Sequence, residues 1–244
     1  MNQMTTTLST ELSQRKTAKI AGVLYLLLIM FGIIAQVIRS NLIVPADVTA
    51  TASNIMASGE MIRISFMSDL LMTTFYFLWG LALYVLLKPV NKNIAMLMAL
   101  INFVGAPIMA INMLNQFAAL HLLSGADYLK VFPADQLRAM AMFFLNMQNY
   151  GYLIAAISFG SYLLPLGYLI FKSGYFPRIF GVLYIMLGFC TLVDFFTQFL
   201  FPKYADISML LLYPGALVEI SFCLWLLIKG VNVQRAEVHA FEPA

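Results

Sequence analysis

Residues Ile20–Ile38 read IAGVLYLLLIMFGIIAQVI, an apolar run with no charged residue in it. A helix needs about 20 mostly apolar residues to cross the hydrocarbon core of a bilayer. The run meets that length, and Arg15, Lys16 and Lys19 stand just before it. A signal peptide shows the same order of charge and then apolar stretch. Here the apolar part is long, and Ile33, two positions before Ala35, spoils a small-x-small cleavage signal. The segment reads as a retained first membrane helix.

Five further stretches repeat the pattern: Ile64–Leu87, Ile94–Leu120, Met140–Phe171, Ile179–Phe201 and Met209–Ile228. Span four is too long for one simple crossing. Its start, with Asn146, Gln148 and Asn149, is expected to rise above the membrane or tilt along its surface. Of the 244 residues 62% are hydrophobic and 10% charged, against about 25% charged in a soluble domain. The expected fold class is therefore all-α, a polytopic six-transmembrane-helix bundle with short cytoplasmic and longer outer loops. One membrane domain is expected over residues 15–231, between disordered tails at 1–14 and 232–244.

Six spans place both termini on one side. That side then holds Arg15, Lys16, Lys19, Lys88, Lys92, Lys172, Arg178, Lys229 and Arg235. The other holds Arg39, Arg63, Lys130, Arg138 and Lys203, together with Asp47, Glu60, Asp127, Asp135 and Asp206. Nine basic residues against five, with short loops on the richer side, put both termini in the cytoplasm. The formal charge of +3 reflects this sidedness. No Lys/Arg run resembles a basic patch, so no nucleic-acid partner is expected.

Local signals refine the picture. In the connection 39–63, Asp47 can cap a short helix that Gly59 ends. That segment reads equally as a surface connector or as a lid. Cys190 and Cys223 lie at depths of roughly 17 Å and 9 Å at 1.5 Å per residue, a mismatch that argues against a disulfide. Pro107, Pro165 and Pro214 fall inside spans three, four and six and favour kinks. Gly151, Gly160 and Gly167 on span four allow close packing within or between chains.

A weak internal repeat is visible. Lys19–Tyr25 (KIAGVLY) opens span one, and Arg178–Tyr184 (RIFGVLY) opens span five. Leu83–Asn91 (LYVLLKPVN) closes span two, and Leu224–Asn232 (LWLLIKGVN) closes span six. Repeats of this kind build many transporters, although membrane composition alone also produces such likeness.

Several of these pieces, in this order, resemble a bacterial integral-membrane family known as domain of unknown function 4386. They include Ala21–Tyr25, Val44–Asp47 leading to Arg63, and Leu81–Tyr84 before Lys88–Asn91. Further along come Ala118–Leu120, Asn149–Gly151, Phe159-Gly160 and Gly167–Arg178, and the series closes with Glu219 and Trp225–Gly230. The likeness runs from about Arg15 to Val231. It implies six membrane helices, and with the charge pattern a bacterial cytoplasmic (inner) membrane location. It supplies no activity.

Ionisable groups inside spans are costly, about 2.5–3.5 kcal/mol at the centre on insertion scales, and so are candidates for function. Counted from the cytoplasmic ends at 1.5 Å per residue, Glu219 lies roughly 15 Å deep, near the midplane. Asp194 comes out at about 22 Å, and Asp69 and Asn112 at about 27 Å. Asn112, Asn115 and Gln116 share one helix face, as do Asn146 and Asn149. Arg39 and Arg63 offer counter-charges at the rim. These ten residues outline an outward-facing polar cavity floored by Glu219. The alternative is that the amides hydrogen-bond across helices and that Asp194 pairs with Arg39 or Arg63.

The catalytic inventory is thin. His121 and His239 are the two histidines, too few for a zinc site built on several His or Cys ligands. There is no Gly-x-Ser-x-Gly elbow, no phosphate loop and no dinucleotide fingerprint. No cofactor, metal or catalytic residue is expected, and enzyme chemistry is disfavoured. The expected partners are the lipid bilayer and a small polar or cationic ligand, and the small size leaves room for a homodimer. A passive membrane scaffold or partner subunit is the main alternative, and a membrane-embedded hydrolase the second.

Overall fold

The computed structural model describes residues 2–232, with side chains from residue 13 onward. Most of the described residues are helical, and none is in a strand. Eight α-helices follow in order: α1 (Asn2–Leu42), α2 (Val48–Ala57), α3 (Gly59–Leu87), α4 (Lys92–Leu122), α5 (Ala134–Ser173), α6 (Arg178–Leu200), α7 (Ala205–Leu210) and α8 (Tyr213–Ile228). Short 3-10 turns stand at Asp127–Val131 and Pro202–Tyr204. Among the described residues six segments are long and apolar enough to span a membrane. The chain is an all-α polytopic membrane protein. The tail expected at 232–244 lies beyond the described residues save Asn232, and the one expected at 1–14 overlaps the start of α1, where the side chains of 2–12 are not described.

Each long helix carries apolar residues on all sides. Leu217, Ile228 and Ile111 are about 70% exposed, which is where lipid contact is required. Helix ends follow local chemistry. Asp47 caps α2, its carboxylate accepting from the Ala50 N–H at 2.8 Å. Ala46, just before it, takes a positive φ of 62° to turn the chain. Gly59 does not end α2. Ser58 closes that helix through a bond from its N–H to Asn54 O at 2.9 Å, and Gly59 opens α3. Its φ is not positive, so the left-handed freedom that makes glycine a terminator goes unused.

The final span also differs from expectation. Pro214 does not interrupt a helix but sits in the first turn of α8. Proline fits there because the first-turn N–H groups have no intrahelical acceptor. Pro107 and Pro165 do lie inside α4 and α5.

Two compact units are distinguishable. Of the described residues the first comprises 2–26, 76–105 and 156–232, and the second comprises Leu27–Phe75 and Ala106–Ala155. In the first unit α5 and α6 approach until backbones touch. A Cβ on Gly167 would come within 2.6 Å of Gly181 O, and one on Gly188 within 2.9 Å of Gly160 O. Small residues allow such approach between membrane helices, where dispersion contacts and not water exclusion drive association. In the second unit Leu42, Ile55, Ile62, Ala119, Ala141 and Leu145 form an apolar core under α2. Both cysteines are free, and Cys223 Sγ faces Gly22 O at 3.6 Å.

Candidate functional site

The polar residues singled out in the sequence separate into distinct clusters. In the second unit Arg39 forms an ion pair with Asp69, whose carboxylate is fully buried. The Tyr152 hydroxyl donates to Asp69 Oδ1 at 3.0 Å, and the Arg39 guanidinium lies 5.5 Å from the Tyr152 ring centre. Arg39 also donates to Gln36 Oε1 at 3.0 Å. A second chain of bonds crosses α3, α4 and α5. Gln148 Nε2 donates to Gln116 Oε1 at 2.9 Å, and Gln116 Nε2 to Ser65 Oγ at 3.3 Å. Ser65 Oγ donates to Ala35 O at 3.2 Å. Asn112 Nδ2 donates to Gln148 O at 2.8 Å, and Asn115 Nδ2 to Asn112 Oδ1 at 3.0 Å.

This network satisfies its members. Buried polar groups cost little when each finds a partner, and they then fix helix register. Gly151 makes the contact possible: a Cβ there would overlap the Asn112 side chain. The unit thus uses Arg39, Asp69, Asn112, Asn115 and Gln116 as a mutual scaffold. Asn146 and Asn149 do not join it, because both are exposed. They share a face, but the buried stripe of α5 runs through Ala141, Leu145 and Gln148, and Gln148 takes the interior place. Arg63 is also exposed and stands apart.

Asp194 belongs to the first unit. It accepts from Ser208 Oγ at 2.6 Å and from Gln198 Nε2 at 2.9 Å. Among the described residues Asp194 takes part in no ion pair, while Arg39 pairs with Asp69 within its own unit. Two neutral donors, one a helical turn away at Gln198 and one on α7, satisfy its oxygens instead.

Glu219 presents the opposite situation. Among the described residues no ion pair and no hydrogen bond engages its carboxyl group, which is partly buried on α8. It lies in electrostatic range of Tyr25, Tyr76, Tyr162 and Tyr184. These rings form one aromatic cluster with Trp79. Tyr25 stacks on Trp79 with centroids 4.3 Å apart, and Tyr162 meets Trp79 edge-on at 6.0 Å and Tyr76 at 5.8 Å. Tyr25 and Tyr184 share a hydrogen bond of 3.2 Å.

Around this cluster polar atoms are left over. Trp79 Nε1, the Tyr76 hydroxyl and both amide atoms of Asn102 are buried without a hydrogen-bond partner. Asn102 is 1% exposed and lies against Gly80, where a Cβ would overlap its amide. The Tyr76 hydroxyl is in range of that amide, but no hydrogen bond of normal geometry joins them. An unsatisfied buried polar group costs about 1–3 kcal/mol, so a cluster of them requires an explanation.

Helix register explains why these groups share a level. Asn102, Tyr162 and Glu219 each stand ten positions from a lysine near a helix end, Lys92, Lys172 and Lys229. Ten residues are about 15 Å of helix. The aromatic residues and Asn102 were not among the sequence candidates. A lone amide inside an otherwise apolar run was the available signal for Asn102, and the paired heptapeptides were the signal for Tyr25 and Tyr184. Among the described residues no group of three or more His, Cys, Asp or Glu could hold a metal ion.

No solved structure matches the chain. It is similar to an "Uncharacterized protein" of Archaeoglobus fulgidus, 32% identical over 152 residues, which cover 62% of this chain and 74% of that one. The family described as "Domain of unknown function (DUF4386)" matches residues 20–230. With nearly all of its membrane-spanning sequence matched, the chain belongs to the DUF4386 family.

Proposed function

We propose that this membrane protein binds a small cationic molecule at Glu219. The observation that carries the reading is a carboxyl group with no protein partner among the described residues, in electrostatic range of four buried tyrosines, one of which, Tyr76, has an unsatisfied hydroxyl. A cation supplies what each lacks. It neutralises a carboxylate, it is attracted to the faces of Trp and Tyr within about 6 Å of the ring centre, and an ammonium donates to the Asn102 carbonyl. Glu219 takes the role of counter-charge, Tyr25, Tyr76, Trp79, Tyr162 and Tyr184 that of an aromatic surround, and Asn102 that of an orienting group. In this reading Arg39, Asp69, Asn112, Asn115 and Gln116 hold helices together and do not touch the ligand. The charge distribution supports a cytoplasmic membrane location with both termini inside.

The test is a melting-temperature scan in detergent with inorganic cations, organic amines and metabolites, on wild type and Glu219→Gln. A ligand at about 100 times its dissociation constant adds roughly 2.7 kcal/mol of stability. A rise with one class of cation, lost in Glu219→Gln, supports the site. No rise with any compound, together with a variant at least as stable as wild type, overturns it. The passive-scaffold reading then takes its place, favoured by the fully paired network around Arg39 and Asp69.

A further inference from the structure

A cavity of about 610 Å³ opens in the second unit, lined by α2, the first turns of α3 and the last turns of α4. Ligand clefts typically enclose about 300–1,000 Å³. Ile55, Met56, Phe66 and Phe117 give it apolar walls, and Arg63 and Ser124 add polar groups. No Asp or Glu lines it. Arg63 forms no ion pair among the described residues. Of the acids near in sequence, Glu60 does not line the cavity and Asp127 pairs with Lys130 at 2.6 Å. Of the residues lining the cavity Arg63 alone carries a full charge, so the lining favours an anionic group and not the cation proposed for Glu219.

Its position adds a second constraint. The apolar span of α3 begins at Gly59 and that of α4 ends at Leu122, and the lining residues cluster at those two ends. A bilayer brings its headgroups and its hydrocarbon together at such a level. An arginine there meets phosphate oxygens in two parallel hydrogen bonds, and the start of α3 at Gly59 contributes positive helix-end potential. Phe66 and Phe117, 5.9 Å apart, provide a surface for an acyl chain. We propose that this cavity seats one anionic phospholipid, its phosphate on Arg63 and part of an acyl chain along Phe66 and Phe117. Basic pockets between membrane helices recognise anionic headgroups by the same chemistry.

The experiment compares melting temperatures of the delipidated full chain in neutral detergent with phosphatidylglycerol, with phosphatidylcholine and with glycerol 3-phosphate. Wild type, Arg63→Gln and Arg63→Lys are measured in each. The expected result is a larger rise with phosphatidylglycerol than with phosphatidylcholine, lost in Arg63→Gln and only partly retained in Arg63→Lys. Equal rises with both lipids, or a phosphatidylglycerol rise that survives in Arg63→Gln, overturn the proposal. A full rise with glycerol 3-phosphate alone also overturns it, because the site would then need no acyl chain. If Arg63→Gln fails to fold, native mass spectrometry of wild type in an equimolar lipid mixture decides. Excess phosphatidylglycerol adducts support the site, and equal adducts overturn it.

Discussion

The hydroxyl groups of Tyr25 and Tyr184 lie 3.2 Å apart, and both side chains are buried. Each closes a heptapeptide of the same pattern, so two similar segments meet at the same register. The glycine three positions earlier is a packing point in both: a Cβ on Gly22 would come within 3.0 Å of Leu226 Cβ, and one on Gly181 within 2.7 Å of Gly167 O. The shared motif therefore encodes a helix face, with a small residue for close approach and a tyrosine for a polar contact. Removing one hydroxyl leaves its partner buried and unpaired, at about 1–3 kcal/mol. Tyr25→Phe and Tyr184→Phe are each expected to lower stability, and the double variant by less than their sum. A double-mutant cycle from unfolding in detergent and denaturant measures that coupling.

The Arg39–Asp69 pair should behave as a buried ion pair. Leaving one charge without its partner costs about 3–5 kcal/mol in such settings. Asp69→Leu alone strands the guanidinium and is expected to destabilise strongly. Asp69→Leu combined with Arg39→Met is expected to recover much of the loss. A double variant no more stable than Asp69→Leu would show that the pair does not act as a unit.

The glycine seam between α5 and α6 gives a steric prediction. Gly167→Leu forces the helices apart, and overpacking of this kind costs about 1–3 kcal/mol or more. Gly59→Ala is the control, since a Cβ there meets nothing within 4 Å. It is expected to leave stability unchanged or raise it by about 0.5–1 kcal/mol, because glycine is the weaker helix former. Thermal unfolding monitored by circular dichroism compares the two.

Asn102 separates a ligand-binding role from a structural one. Its amide atoms have no partner, so Asn102→Leu removes an unsatisfied group of similar volume. The ligand-free protein is expected to become more stable by about 1–3 kcal/mol. The cation-dependent rise in melting temperature is expected to shrink or vanish. A variant that is less stable than wild type would assign Asn102 a hydrogen bond that holds the helices.

The spans were legible because membrane crossing imposes a length and a composition that few other pressures imitate. Their edges were less so. Gly59 has the residue type of a helix terminator, yet Ser58 performs that task and Gly59 begins the next helix. Pro214 was read as a kink because the apolar run continues on both sides of it, whereas the chain breaks into α7 and α8 just before. The Asp69 cluster could be anticipated in membership but not in pairing. Asn146 and Asn149 share a face, but the 3.6-residue period alone does not say which face turns inward. The answer lies in Ala141 and Leu145, apolar residues that bring Gln148 with them to the interior. The aromatic surround of Glu219 escaped because tyrosine and tryptophan are common in membrane helices, and only their spatial convergence distinguishes these five.

The glycine seam has a consequence for biogenesis. Gly160 and Gly167 meet Gly188 and Gly181 across a turn at 174–177, where Gly174 adopts a φ of 64°. All four contact points lie within residues 160–188, a loop that closes at small entropic cost. The hairpin can therefore assemble as soon as α6 has been synthesised, before α7 and α8 exist. Newly made α5, with its buried Gln148, then enters the bilayer already accompanied, and α7 and α8 insert against a finished surface.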